Sequence, residues 1–321
     1  MALKMTFINV GYGEAILLQV EETGFTMLVD AGGAEATEYA DNASGRIRVH
    51  EYLESIDLDH IDLMVSTHIH EDHLCGLLPV AERWTPKTFW HTLPEKFPEQ
   101  SLRWIDPALA ENASQSKFIR ALDDYQTLCR NFKAKDCKIK TILAGHEKVL
   151  CPGLICRVLA PTERQMEGIG KRMAEVCALP DGPELLKGLS AIDGALNNYS
   201  IILRLEYQGK IILLPGDTNR AGYGNIDPAD LRADIFKVGH HGQVDGADAA
   251  LIDVVQPKFA ICCASSDRRY NSAHPELMCL LRDRGAALCF SDCPPVEGVD
   301  IPSHHALVFT VDRDKIQYYY Q

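Results

Sequence analysis

The chain has 321 residues, 46% of them apolar, with a formal net charge of −13. That is enough apolar material for one large domain or two small ones, and no stretch approaches the roughly 18 to 20 uninterrupted apolar residues that cross a bilayer. The charge repels a polyanion unless cations gather at the site, which disfavours extended nucleic acid and leaves small phosphate esters or neutral esters.

The N-terminus lacks a charged start, an apolar core and a small-residue cleavage site, so a cytoplasmic location is expected. The eleven cysteines are odd in number, sit in apolar runs such as Ala260-Ile261-Cys262-Cys263-Ala264, and never form Cys-x-x-Cys. They read as reduced core thiols.

In chain order, Met5 to Val10, Ala15 to Val20 and Phe25 to Val29 are strand-like runs separated by glycine-containing turns, a meander. Residues 46 to 56 suit a helix through Ile47, Tyr52 and Ile56, and Leu63-Met64-Val65 ends a buried strand. From 81 to 195 the texture changes, with Trp84, Trp90, Trp104, several prolines and a helical stripe at Phe118, Leu122, Tyr125, Cys129 and Phe132. This segment is expected to be a lid, an outer helical layer or a dimer contact. Strands then alternate with helix-like segments: Ile201 to Leu205, Ile211 to Leu214, Ile235 to Val238, Phe259 to Cys263, Leu288 to Phe290 and Ala306 to Val311, with the clearest helix at Pro275 to Arg284. The pattern predicts an α/β (α+β) fold, two sheets packed face to face with helices outside.

Directly after the strand at Val65 comes His68-Ile69-His70-Glu71-Asp72-His73. Side chains two apart on an extended segment point the same way, so His68 and His70 share a side, and the turn that follows brings Asp72 and His73 to a second position. Imidazole and carboxylate donors at this spacing suit zinc, manganese or iron. Other polar clusters also follow strand ends: Asp217 in Pro215-Gly216-Asp217, His240 and His241 before Gly242, and His274 before Pro275. Their recurrence at strand ends favours ligation over mere turn formation. His304 and His305 read as a solvated turn.

These motifs resemble the metallo-β-lactamase superfamily. Asn9-Val10-Gly11-Tyr12-Gly13-Glu14-Ala15, Leu28-Val29-Asp30-Ala31-Gly32, Asn197-Asn198-Tyr199-Ser200-Ile201-Ile202-Leu203, Pro215-Gly216-Asp217, Lys237 to Gly242 and His274-Pro275-Glu276 look like the ComEC-type soluble hydrolase domain. The resemblance covers residues 5 to 78 and 196 to 291. It implies a single domain over 1–321, a four-layered αββα sandwich with a helical insertion or lid at about 81–195. By position it implies that His68 and His70 hold a first metal and Asp72 and His73 a second, with Asp217 bridging and Asp30 orienting a ligand imidazole. Asn198 stands near the place of a missing third histidine, which leaves the first metal labile or favours manganese. For the last position on the second metal, His274 is preferred to His241, leaving His241 or His240 to donate a proton.

The expected cofactors are two divalent ions, zinc or manganese, holding a hydroxide that Asp72 orients while His241 protonates the departing oxygen. No Gly-x-Ser-x-Gly or Walker-type loop is present to carry other hydrolytic chemistry. The expected function is phosphodiesterase or nuclease, on a small-molecule or short phosphodiester substrate. Hydrolysis of a small ester, lactone or amide, and a non-catalytic metal-binding scaffold, are the alternatives. Arg268, Arg269 and Tyr270, or Lys171 and Arg172, are candidates for a phosphate-binding patch. No membrane partner is expected, and a homo-oligomer stays open.

Overall fold

The computed structural model describes residues 2–40, 43–94 and 96–321. Among these described residues fifteen strands run in chain order: β1 Leu3–Ile8, β2 Ile16–Val20, β3 Phe25–Val29, β4 Leu63–Val65, β5 Thr88–His91, β6 Lys138–Thr141, β7 Glu147–Cys151, β8 Leu154–Ala160, β9 Ile202–Tyr207, β10 Lys210–Leu214, β11 Ile235–Lys237, β12 Phe259–Cys262, β13 Ala287–Phe290, β14 Ala306–Val311 and β15 Ile316–Tyr320. The helices are α1 Val49–Ser55, α2 Glu71–Leu74, α3 Leu77–Arg83, α4 Phe97–Gln100, α5 Ala113–Ala134, α6 Glu163–Cys177, α7 Pro183–Leu196, α8 Pro228–Leu231, α9 Ala249–Val255 and α10 Pro275–Asp283.

The strands form an eight-stranded sheet, β15-β14-β1-β2-β3-β4-β5-β6, and a seven-stranded sheet, β13-β12-β11-β10-β9-β8-β7. Alternation along each strand sends one set of side chains between the sheets and the other under helices. In β2, Ile16, Leu18 and Val20 join the core between the sheets, with Leu203, Leu205, Ile212 and Leu214 from the second sheet. Leu17 of the same strand faces outward, into a core made with α1, α3, α5, α6 and α7. On the far face, Ile202, Leu213 and Phe236 pack beneath α9 and α10. Three apolar interfaces between four layers make the αββα sandwich.

Residues 81–195 are helical only in part. They extend the first sheet with β5 and β6 and the second with β7 and β8, and supply α4 to α7 as an outer layer. The edge strand β6 alternates exposed and half-buried residues, and β15 likewise has no fully buried position. Such edge strands carry no buried apolar run, so their sequences announce them weakly. The long helix α5 is capped by Asn112, whose side chain accepts from the Gln115 N–H at 3.0 Å, and its stripe of Phe118, Leu122, Tyr125, Cys129 and Phe132 is buried as core. Trp90 lies wholly inside the inter-sheet core. Nine cysteines are buried as reduced thiols. No helix among the described residues is long and apolar enough to cross a membrane.

Candidate metal centre

The parallel strands β3 and β4 of one sheet, and β10 and β11 of the other, end at the same rim. The loops that leave their carboxyl ends carry the polar clusters, the usual place for a site on such a scaffold. Asp30, just past β3 in a left-handed backbone conformation, ties two of these loops together. Its carboxylate accepts from the Thr67 N–H at 2.8 Å, the Thr67 hydroxyl at 2.6 Å and His73 Nδ1 at 2.8 Å. Backbone bonds complete the joint: Ala31 N–H to His73 O, Gly76 N–H to Gly32 O and Glu14 N–H to Asp72 O.

The loops are pressed so closely that Gly76 has no space for a side chain. A Cβ there would lie 1.9 Å from the Ala31 carbonyl oxygen, a backbone atom of the Asp30 loop. Gly76→Ala is therefore expected to lower stability by about 1–3 kcal/mol, the ordinary cost of overpacking, read as a lower urea midpoint with unchanged slope.

Each of the four histidines in the rim has one ring nitrogen committed outward. His73 Nδ1 donates to Asp30, and His241 Nδ1 donates to the Cys263 carbonyl at 2.8 Å. His68 Nδ1 lies 3.0 Å from the Thr67 hydroxyl, whose own proton goes to Asp30, so that oxygen is an acceptor. His70 Nε2 donates to Asp193, to its carbonyl at 3.1 Å and its carboxylate at 3.2 Å. The other nitrogens converge. His241 Nε2 lies 2.9 Å from Asp217 Oδ2 and 3.0 Å from Asp72 Oδ2. His73 Nε2 lies 3.2 Å from Asp217 Oδ2 and 3.4 Å from His241 Nε2.

Asp72, His73, Asp217 and His241 thus offer four donor atoms within 4.8 Å of one another. Beside them His68 Nε2 faces His70 Nδ1 at 3.0 Å, and the His68 and His73 rings are 4.3 Å apart. Once the outward nitrogen of a neutral imidazole carries the proton, the inward one presents a lone pair. Lone pairs directed at lone pairs and carboxylates fit a divalent cation, and outward partners of this kind are how metal-binding imidazoles are oriented.

The electrostatics point the same way. Burial alone would raise the Asp217 carboxyl, but His241, His73 and Lys237 hold it well below the usual range. Burial likewise opposes ionisation of Asp72, and His73 and His241 outweigh it. Against their own burial, His73 is raised by Asp217 and Asp72, and His241 is pushed up to about 9 by the same carboxylates. His68 is driven well below its ordinary value by burial and by the neighbouring His73 and His70. The carboxylates therefore attract positive charge onto this cluster, and protons compete with a metal for it.

Beneath the cluster lies Lys237, fully buried at the end of β11. Its ammonium pairs with the buried Glu14 carboxylate and donates to Gly216 O at 2.7 Å and Asp217 Oδ1 at 3.1 Å. Asp217 is thereby fixed with Oδ1 on the ammonium and Oδ2 toward the imidazoles.

His241, and not the His274 that the resemblance favoured, converges with Asp72, His73 and Asp217. Left-handed backbone at His240 and His241 turns the His241 ring into the cluster. His274 instead precedes α10, its N–H bonded to the Gly242 carbonyl, and it is not among the four converging donors. Asn198 accepts from the Asn219 N–H, whereas its neighbour Asn197 lines the cleft with a buried Oδ1 that has no hydrogen-bond partner among the described residues. His240 lines the cleft, its Nδ1 2.9 Å from Asp245 Oδ1 and its Nε2 3.1 Å from Asn197 Nδ2. His304 and His305 anchor loops through backbone carbonyls. Of the basic candidates, Arg269 is paired with Glu38, Arg268 bonds the Ser272 carbonyl, and Lys171 and Arg172 sit exposed on α6.

The cleft over the cluster has a volume of about 230 Å³. One wall comes from α5 and α7, with Lys117, Phe118 and Asp193, and the other from Tyr12, His240 and Tyr270. The Tyr12 ring packs 4.4 Å from His241 and 5.1 Å from Tyr270. Tyr12, Lys117, Asp193, Asn197 and Lys237 are site residues that the sequence pattern left unassigned.

A family model described as the metallo-beta-lactamase superfamily matches residues 8–146. Over 89 residues, 27% of this chain, the sequence is 36% identical to ComE operon protein 3 of Bacillus subtilis (strain 168), and the match spans 11% of that protein's length. Among solved structures, the metallo-beta-lactamase fold protein YhfI from Bacillus subtilis is 10% identical with a TM-score of 0.46, over 91% of this chain and 96% of its own. Zn(2+)-bound PqqB from Methylobacterium extorquens is 11% identical with a TM-score of 0.46, over 91% and 98%. A diphosphatase from the PhnP family is 13% identical with a TM-score of 0.42, over 95% and 100%.

Proposed function

We propose that this chain, a metal-dependent hydrolase that belongs to the metallo-β-lactamase superfamily, cleaves phosphodiester bonds with water as the nucleophile. The observation that carries the reading is the pairing of two inward-facing donor sets. Asp72, His73, Asp217 and His241 would hold one divalent ion, zinc or manganese, and His68 and His70 a second beside it. A pair of divalent ions bound there would lower the pKa of a water toward neutrality and offset the charge that develops on phosphoryl oxygens.

The protein's own groups supply the remainder. Asp72, at the cleft edge, orients the attacking water by accepting its hydrogen bond. His241 belongs to the converging donors, so the proton for the departing oxygen is assigned to His240 in the cleft wall acting as its imidazolium, with Nδ1–H held by Asp245 and Nε2–H turned from the Asn197 amide to the substrate. Lys117, shared with Glu71 and Glu35, offers a cation to a non-bridging oxygen, and the Tyr12 and Tyr270 rings, set edge to face, offer an aromatic wall to the ester substituent. A cleft of about 230 Å³ and a net charge of −13 favour small or short phosphodiesters over extended nucleic acid.

The test is turnover of bis(p-nitrophenyl) phosphate with manganese or zinc, beside a panel of lactones, β-lactams and simple esters. Phosphodiester cleavage that stops on chelation and returns with metal is the expected result. Turnover confined to the lactone or ester panel would move the assignment to carboxyl chemistry. Absence of turnover on both by remetallated protein would leave a metal-binding scaffold.

A further inference from the structure

We propose that Asp193, on helix α7 of the segment 81–195, is a positioning residue for the metal centre, holding His70 in the tautomer that presents Nδ1 to a cation. The proposal rests on the metal-hydrolase reading above and adds a residue from outside the rim loops.

Two acceptors of one residue meet the same ring nitrogen. His70 Nε2 is 3.1 Å from the Asp193 carbonyl oxygen and 3.2 Å from Asp193 Oδ1. Neither oxygen can donate when the carboxyl is ionised, so Nε2 carries the proton and Nδ1 keeps its lone pair. Nδ1 is the nitrogen that faces His68 Nε2 at 3.0 Å.

The carbonyl is free to do this because of where it lies. Asp193 is in the last turn of α7, where carbonyls lack partners within the helix, and the capping Asn197 N–H bonds Ala195 instead. The partial negative charge of a helix C-terminus favours a proton on the approaching imidazole. The carboxylate is itself fixed, since Oδ2 accepts from the Ser114 hydroxyl at 2.9 Å in the first turn of α5. Two helices of the outer layer thus orient a ring carried by the β4 loop. The functional contribution of the middle segment is alignment of that ring as well as a cleft wall.

The experiment compares full-length wild type, Asp193→Ala and Asp193→Asn. Zinc and manganese titrations with metal analysis report affinity and stoichiometry, and nitrogen-15 NMR of the imidazoles reports the His70 tautomer. Wild type should show the Nε2–H form of His70 and two classes of metal site. In Asp193→Ala, which removes the carboxylate and leaves the carbonyl acceptor, the weaker class should lose about tenfold in affinity, the lower end of the range for losing an orienting partner. Asp193→Asn keeps an acceptor oxygen and should lie between the two, a graded response that loss of packing would not produce. An Nδ1–H tautomer of His70 in the wild type, or unchanged metal binding in folded Asp193→Ala, overturns the proposal while the metal-hydrolase reading stands. Failure of wild type to bind either metal overturns both.

Discussion

His241→Ala is expected to lose bound metal and turnover together while remaining folded. His241 contributes one of four donor atoms that meet within 4.8 Å, and its ring is held by one outward bond, to the Cys263 carbonyl. Even an orienting partner of a ligand is worth about 10–100-fold in metal affinity, so loss of a ligand should exceed that. With several kcal/mol of charge stabilisation at stake, the rate should fall about 10³-fold, at 1.36 kcal/mol per decade. Metal analysis after dialysis, the rate on bis(p-nitrophenyl) phosphate and circular dichroism check it together. Retention of full metal content with a slowed rate would show His241 to be a proton donor rather than a ligand.

Lys237→Met is expected to have the largest effect on stability, about 3–5 kcal/mol, because it leaves the Glu14 and Asp217 carboxylates facing each other's environment without the ammonium between them. Methionine fills a similar volume, so the loss is electrostatic and not a cavity effect. Two consequences separate this from simple misfolding. Adding Glu14→Gln to Lys237→Met should recover part of the loss, since removal of both charges is far less costly than removal of one. Saturating zinc or manganese should recover part as well, by binding the folded state. Chemical denaturation of the single and double variants, with and without metal, measures both; equal stability of Lys237→Met and wild type would mean that Lys237 does not hold the two carboxylates together.

How much of the site was legible depended on how local each signal is. His68, His70, Asp72 and His73 lie within six positions after a strand, and the geometry of an extended segment and the turn after it is enough to predict that they converge. Asp217 was legible because its turn ends a strand. The choice between His241 and His274 was not, because both follow strands, and what separates them is a left-handed backbone at His240 and His241 against a helix start at Pro275. Asn197 and Asn198 are adjacent, and the short helical turn at the end of α7 decides which one faces the cleft. Lys237 did leave a trace, a lone cation between Ile235-Phe236 and Val238 in a strand, a position that calls for buried partners. Asp193 left none: it is one more polar residue on an amphipathic helix, and its value comes from a contact 123 positions away in the chain.

The sequence by itself determined the two-layer pattern of strands, the helices with apolar stripes, and the presence of a histidine and carboxylate cluster, because periodicity and nearest-neighbour chemistry are properties of short segments. Only the tertiary structure decided which distant imidazole completes that cluster, where the edge strands of the middle segment go, and which groups orient the ligands from behind. Those outcomes depend on how loops from two sheets and an outer helical layer come to rest against one another, and no window of sequence contains that distance.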